Sequence, residues 1–485
     1  MNKLVTCAGL AAVGAVGLQA QYLGSEAPQK TWSVSARLRG FYDDNYATLP
    51  GHRDDGGPTK RGSWGGNAEV FGGYAPKLEQ MTTIGITARY DIYYYEDRPR
   101  AQADHVVDAG ALFSHQFSDR YKVDFTDSFV VAQEPQLLDP AMAATFLRAE
   151  GSNIGNTANL VGNAKVTEKL NVNLGLSDRF IDYQQKGDGS WSARLDRLVN
   201  SGDLQVRYDW RPNTTAYVGY RFDYTDMTSK DHLWTLGDAQ GWWDTLNTPP
   251  AGWSAAANTM ALNYVGANAR PTSNATIPKA DIRNNYAHFG YLGVDHQFNA
   301  YLSAKVMAGV QMTEYPNARE RTVNAAGVTN GSTKRSRDNV VPYADASVRY
   351  DYAKDCFAQL QVIHQRYATD VPFIGANTAD GLIGALVGEY TTMDQESTTV
   401  SALISHAVTP KLRVGVRGQW QGGTFNQKNL SSKQDNFEGV DVMADYEINR
   451  YLRAEAGYSF SILSSDLPNR GYQRNRLYAG VRGTY

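Results

Sequence analysis

The sequence predicts an all-β fold, a transmembrane antiparallel up-and-down β-barrel of about eighteen strands preceded by a cleaved signal peptide. Three observations predict it. Apolar and polar residues alternate at every second position over many short stretches, polar turns join these stretches in pairs, and long polar connections separate the pairs. Side chains of a strand point to opposite faces in turn, so such alternation gives one apolar and one polar face.

The first element is Met1 to Gln21. Lys3 supplies a positive start, Leu4 to Leu18 an apolar run, and Leu18-Gln19-Ala20 a cleavage site before Gln21. This is the pattern of a signal peptide, and the run is too short to span a bilayer. Residues 1–20 are therefore read as the signal peptide and 21–485 as the barrel, with strands from about residue 32 onward. Cys7 lies inside the apolar run after Thr6, too early for a lipid attachment site. Cys356 is then the one cysteine of the mature chain, so no internal disulfide is expected.

Two stretches show the alternation best. Leu412, Val414 and Val416 share one face, and Arg413, Gly415 and Arg417 the other. Leu452, Ala454, Ala456, Tyr458 and Phe460 oppose Arg453, Glu455, Gly457 and Ser459. Short turns fall at Ala75-Pro76-Lys77, Ser118-Asp119-Arg120, Thr167-Glu168-Lys169, Arg211-Pro212-Asn213, Asn299-Ala300, Ala353-Lys354-Asp355, Thr409-Pro410-Lys411 and Ile448-Asn449-Arg450. These eight turns make sixteen strands. One strand precedes them (Trp32 to Tyr42) and one follows (Tyr472 to Tyr485), giving about eighteen, an even number as single-chain bacterial barrels have. Aromatic residues flank the turns: Tyr74, Phe117, Tyr121, Trp210, Phe298, Tyr301, Tyr352, Phe357, Tyr446 and Tyr451. They are expected to form a girdle at one membrane interface, where amphipathic rings settle.

The connections between hairpins run Asn45 to Gly65, Ala132 to Ser152, Pro316 to Arg337 and Asp370 to Met393. The longest, Met227 to Arg283, has roughly 57 residues. Short turns at one end and long loops at the other place the termini and turns in the periplasm and the long loops outside the cell. An open sheet edge is not tolerated in hydrocarbon, so the first strand must pair with the last.

That last strand, RNRLYAGVRGTY, puts Leu477, Ala479, Val481, Gly483 and Tyr485 on one face. An apolar alternation ending in an aromatic residue resembles the assembly signal of outer-membrane proteins, with Tyr485, Val481 and Ala479 in its positions. Nearly the whole mature chain resembles, in pattern, the outer-membrane β-barrel porins of Gram-negative bacteria, some of which are associated with exopolysaccharide gene clusters. The resemblance implies a cell outer-membrane location, with membrane lipid and the outer-membrane assembly machinery as partners.

With the apolar face outward, the expected lumen wall includes Arg89, Asp91, Arg207, Arg221, Asp223, Lys305, Asp345, Arg349, Arg413, Arg417, Asp441, Asp445, Arg453, Glu455, Arg476 and Arg482. Eighteen strands enclose more space than side chains fill, so a water-filled channel is expected. Arg413, Arg417, Arg453, Arg476 and Arg482 form either a basic ladder that selects anions or a lattice neutralised by Asp441, Asp445 and Glu455. The near balance of charge favours the lattice. Loop 227–283 is either an extracellular cap, the favoured reading, or a constriction loop whose Trp242, Trp243 and Trp253 stack on sugars.

Catalysis is not indicated. None of the eight histidines has metal-ligand spacing, and no nucleophile elbow, P-loop or dinucleotide fingerprint occurs. His288 and His296 are placed in the lumen or at an interface. Asp43-Asp44 and Asp54-Asp55 read as solvated loop charge rather than a Ca²⁺ site. No cofactor or metal is expected. Forty-seven basic and 50 acidic residues leave a net charge of −3 with no basic tract, so nucleic acid is not an expected partner. The leading expectation is a porin-like channel for small hydrophilic solutes or oligosaccharides. Its alternatives are an exopolysaccharide export barrel and a structural or adhesive barrel with a blocked lumen. The sequence does not give an oligomeric state.

Overall fold

The computed structural model describes residues 31–485 except 54–55, 77, 79–80, 100, 133–152, 275–276, 324–328, 335–338, 372–378, 387–390 and 426–432. The segment read as a signal peptide, with Cys7, and Asp54 and Asp55 lie outside the described residues. The first hairpins are built from β1 (Trp32–Asp43), β2 (Ser63–Tyr74), β3 (Thr82–Tyr95), β4 (Ala103–Gln116), β5 (Tyr121–Ala132), β6 (Asn153–Lys165) and β7 (Leu170–Tyr183). The chain continues through α1 (Trp191–Leu195), β8 (Arg197–Arg211), β9 (Thr214–Asp226), α2 (Leu236–Asn247), α3 (Ala255–Ala267) and a 3₁₀ turn (Ala280–Arg283). It proceeds to β10 (Asn285–Gln297), β11 (Leu302–Glu314), a hairpin of β12 (Arg319–Val323) and β13 (Thr329–Lys334), β14 (Asn339–Ala353) and β15 (Cys356–Tyr367). It ends with α4 (Ala379–Leu386), β16 (Gln395–Ala407), β17 (Leu412–Phe425), β18 (Gln434–Asn449), β19 (Leu452–Ser465) and β20 (Tyr472–Thr484).

All strands except β12 and β13 form one eighteen-stranded antiparallel sheet, each paired with its chain neighbour. The sheet closes where β1 pairs β20, from Ser35↔Thr484 to Asp43↔Arg476. Backbone bonds between Val34 and Tyr485 extend the ladder by one residue, and the Trp32 and Tyr485 rings lie 5.8 Å apart. Eighteen is the number that the turn count predicts. Closure removes both sheet edges, which hydrocarbon requires.

The short turns form because their first polar residues hold the following backbone. Asn299 Oδ1 accepts from the amides of Tyr301 and Leu302 at 2.8 and 2.9 Å, and Asn449 Oδ1 from Tyr451 and Leu452 at 2.8 and 3.0 Å. Thr167 and Thr409 do the same through Oγ1, reaching Leu170 and Leu412 at 3.0 and 2.9 Å. These side-chain turns are the local preference of Asn and Thr.

Parity decides which residues meet lipid. Leu38 is 63 % and Leu292 67 % exposed, whereas Arg37 is 7 % and Asp91 2 % exposed. The apolar face is therefore outward and the charged face inward, the reverse of a soluble sandwich. No described helix is long and apolar enough to cross a membrane. Tyr74, Phe117, Tyr121, Trp210, Phe298, Tyr301, Tyr446 and Tyr451 are exposed on the outside at the short-turn end. Phe357 departs from the predicted girdle. On β15 it shares the parity of Gln359 and Gln361, opposite the exposed Leu360, and so turns inward under the Arg349 guanidinium, 4.0 Å from its ring centre. His288 and His296 take the outward face, sharing hydrogen bonds of 2.7 and 2.8 Å with Tyr220 and Thr214.

The long connections contain structure of their own. Loop 227–283 holds α2 and α3, started by the Thr235–Asp238 capping box and by Ser254. Together with α4 they bury Leu233, Trp234, Leu246, Ala261, Tyr264 and Leu382 in one apolar cluster. This cap is a small core separate from the barrel wall.

Candidate functional site: the lumen and its closed end

Inward side chains form an ion-pair lattice along the seam. Arg37 pairs Glu69 at 2.6 Å and Asp91 at 3.3 Å, Arg39 pairs Glu455, and Arg89 pairs Asp108. Arg474 and Arg476 reach Asp43 at 2.6 and 2.9 Å. Asp43 is the last residue of β1 and fully buried, and Asp44 pairs Lys60 at 2.6 Å. The reading of Asp43 and Asp44 as solvated loop charge is thereby corrected: β1 runs one residue further than its pattern suggests and carries Asp43 onto the inward face.

The predicted lumen residues all fall on inward positions of the register. Arg417 pairs Asp441 at 2.7 Å, Arg482 stands 3.8 Å from Glu455, and Arg413 lies opposite Asp445. Arg453 faces Arg482 across the β19–β20 pair. Arg207 pairs Asp295, which also lies opposite Lys305. Asp345 accepts Gln361 Nε2 at 3.3 Å, and Arg349 pairs Asp351 at 2.8 Å. Arg221 contacts Asp223 at 3.3 Å and stacks on Phe289, 3.7 Å from its ring centre. Around it Tyr217, Phe289, Tyr291, Met307 and Tyr343 form an aromatic stretch of inner wall.

Sequence reading missed Arg37, Arg39 and Glu69, although Arg37-Leu38-Arg39 carries the same alternation as Arg413 to Arg417. It also missed Arg283 and Arg470, which lie in loops where parity gives no signal.

The long-loop end is bridged. Arg283 donates to the carbonyls of Thr369, Val371 and Thr392 at 2.9, 2.6 and 2.8 Å, and to that of Arg194 at 3.2 Å. Burial first, then the Arg194 charge, pushes the Arg283 pKa down to about 10. Arg470 pairs Asp370 at 2.8 Å and Asp435 at 2.7 Å. Burial alone would lower the Arg470 pKa, yet Asp370 and Asp435 hold it above its ordinary value. The β15–β16 loop thus joins the β7–β8 and β19–β20 loops. In barrel order β8 is eighth and β19 seventeenth of eighteen, half a circumference apart, so these contacts cross the mouth.

Trp242, Trp243 and Trp253 pack against the cap's apolar cluster. Trp242 and Trp243 lie on α2 and Trp253 between α2 and α3, all three partly buried. Beneath the bridged end lies a cavity of about 150 Å³ lined by β7, β8, β9, β10, β11, β15 and Arg283. Its wall holds Arg179, Arg197, Arg221, Arg283 and Arg366 against Asp223 and Asp394. Among the described residues, no group of three metal-ligating side chains occurs.

No curated protein matches the chain. Among solved structures it is similar to OccAB4 of Acinetobacter baumannii, with 11% identity and a TM-score of 0.42, over 94% of this chain and 99% of that one. A BenF-like porin from Pseudomonas fluorescens Pf-5 has 10% identity and a TM-score of 0.41, over 94% and 99%. The outer membrane protein opdK from Pseudomonas aeruginosa has 11% identity and a TM-score of 0.41, over the same shares. Over residues 387–485, which carry β16 to β20 and so the closing strand, the chain is similar to the family described as "Putative beta-barrel porin 2".

Proposed function

We propose that this barrel is a porin-like channel of the outer membrane, passing small hydrophilic solutes passively. The observation that carries the reading is the reversal of polarity in a closed eighteen-stranded sheet: apolar side chains outside, a continuous charged wall inside, and a cavity within. In this reading the termini and short turns face the periplasm and the long loops face outward. Oligosaccharides remain the alternative solutes of this reading, with the tryptophans of loop 227–283 partly buried against the cap core.

A second reading, a barrel whose lumen is blocked, is favoured by the contacts that cross the mouth. One experiment separates the two. Purified protein is refolded, its barrel verified by heat-modifiable gel mobility, and single-channel current is measured across a planar bilayer. The same is done after deletion of residues 230–280. The channel reading expects small ohmic steps that grow on deletion of the cap. Folded barrels that stay silent both with and without the cap would refute it in favour of the blocked lumen.

A further inference from the structure

We infer that two copies of this barrel associate in the membrane through the outer wall of β5 to β8, about a twofold axis beside Ala158. The inference rests on the barrel alone and holds whether or not its lumen conducts.

The apolar band is interrupted on that wall. Asp127 stands on the outward face of β5 between Phe125 and Phe129, and Asp178 on that of β7 between Leu176 and Phe180. Neighbours fix the parity: Phe129, Leu160 and Leu176 are exposed, whereas Ser177 and Arg179 line the inner cavity. The ladder gives the depth of both acids. A row of directly paired residues leaves Tyr74 in the short-turn girdle and meets Asp127 at the third strand crossing and Asp178 at the fifth. It reaches Tyr286, at the long-loop end, at the eighth. Strands about 4.8 Å apart and tilted about 40° make each crossing a climb of about 3 Å, so the row spans the apolar band of about 25 Å. Asp178 then lies about 15 Å above the girdle, where an acid facing lipid is unfavourable. Among the described residues of β4 to β9, no arginine or lysine shares the outward face between the girdles, and the Asp178 carboxylate has no hydrogen-bond or ion-pair partner.

A second copy supplies what the first lacks. Asn156 donates one amide hydrogen to Asp127 at 2.9 Å and has another to give. Ala158 lies between the two acids in the row and pairs with both. Asp178, one crossing from Ala158, is about 3 Å higher and about 4 Å to one side. Asn156, two residues up its strand, is about 5 Å higher and about 4 Å to the other side, because the strand climbs at right angles to the row. A twofold axis along the membrane normal keeps heights and exchanges sides. Each Asp178 then meets the partner's Asn156, giving two reciprocal hydrogen bonds, while Ala158 faces its own copy and permits close approach. The patch is therefore self-complementary, whereas a lipid tail offers Asp178 no donor.

The test is oxidative cross-linking in native outer membranes, with sedimentation of the purified full-length protein in detergent. Ala158→Cys is expected to give a dimer band on oxidation. Leu292→Cys, outward on β10, and the wild type, whose Cys356 is buried, are not. Asp178→Leu is expected to weaken the dimer about a hundredfold, about tenfold for each reciprocal bond, and Asp178→Asn less, since an amide still accepts. Heat-modifiable mobility verifies each barrel. Where Ala158→Cys fails that check, sedimentation of the wild type and Asp178→Leu decides. A dimer indifferent to Asp178→Leu, a trimer, or cross-linking at Leu292→Cys equal to that at Ala158→Cys overturns the proposal. So does a monomeric wild type, which would leave Asp178 facing lipid.

Discussion

Replacing Arg470 with methionine removes the charge that ties the β15–β16 loop to the barrel rim while keeping much of the side-chain volume. The three partners are almost wholly buried: side-chain exposure is 7% for Arg470, 1% for Asp370 and 0% for Asp435. Solvent screening is therefore weak, and the substitution leaves two buried carboxylates without their shared cation. Breaking a buried pair in this way costs about 3–5 kcal/mol. The barrel ladder does not depend on Arg470, but the loop does, because Asp370 regains water only if the loop lifts. The closed arrangement then loses roughly two to three and a half decades in its equilibrium with the lifted one. Protease cutting within residues 368–394 should accelerate, and single-channel conductance should rise, with heat-modifiable mobility unchanged. Arg470→Lys should restore part of the effect, since one ammonium replaces a fork shared by two carboxylates. A folded Arg470→Met protein with wild-type proteolysis and conductance would refute the claim that this residue holds the mouth closed.

Two further predictions concern the seam and the cap. A side chain at Gly480 would collide with the Leu38 carbonyl and lie 2.6 Å from Arg39 Cγ. Gly480→Val should prevent β1–β20 closure and abolish the heat-modifiable band, whereas Gly418→Val, with nothing within 4 Å, should leave it. Asp188 holds the cap to the β7–β8 loop by accepting from the His232 amide at 2.8 Å and from Asn274. Burial would raise its pKa, but the hydrogen bonds from His232 outweigh this and lower it. A depressed carboxylate contributes stability that is present above its ordinary pKa and is lost as pH falls through the depressed native value. Protease access to the cap should therefore rise only below about pH 4, and Asp188→Asn should remove that acid step. Release already at neutral pH in the wild type would contradict this assignment.

The wall was legible in the sequence because the bilayer enforces a rule at every second residue. Leu412 to Arg417 and Leu452 to Phe460 are readable from alternation alone, since a one-residue slip would put arginine in lipid. Turns were legible for a local reason, the capacity of Thr167, Asn299, Thr409 and Asn449 to hold the next amides. Phe357 obeys the same rule: on β15 it shares a face with Gln359 and Gln361, opposite the exposed Leu360, and so stands inward rather than in the girdle.

The site was less legible, because pairing across a lumen depends on distances that no alternation encodes. Arg482 was placed on the inner wall with Glu455, but its approach to Glu69 spans the barrel seam, at 3.9 Å. Arg283 and Arg470 lie in loops, so parity says nothing about them, yet they hold the mouth. The cap shows the same limit from the other side. Aromatic residues in a long loop of a barrel invite a reading as a sugar-stacking constriction, but Trp242, Trp243 and Trp253 complete an apolar cluster with α4, which arrives from the β15–β16 loop. Two loops far apart in sequence share that core. What bridges the long-loop end is therefore a set of tertiary contacts between loops, and the pairing of Arg470 with Asp370 and Asp435 among them is a property of the fold that only the assembled structure exposes.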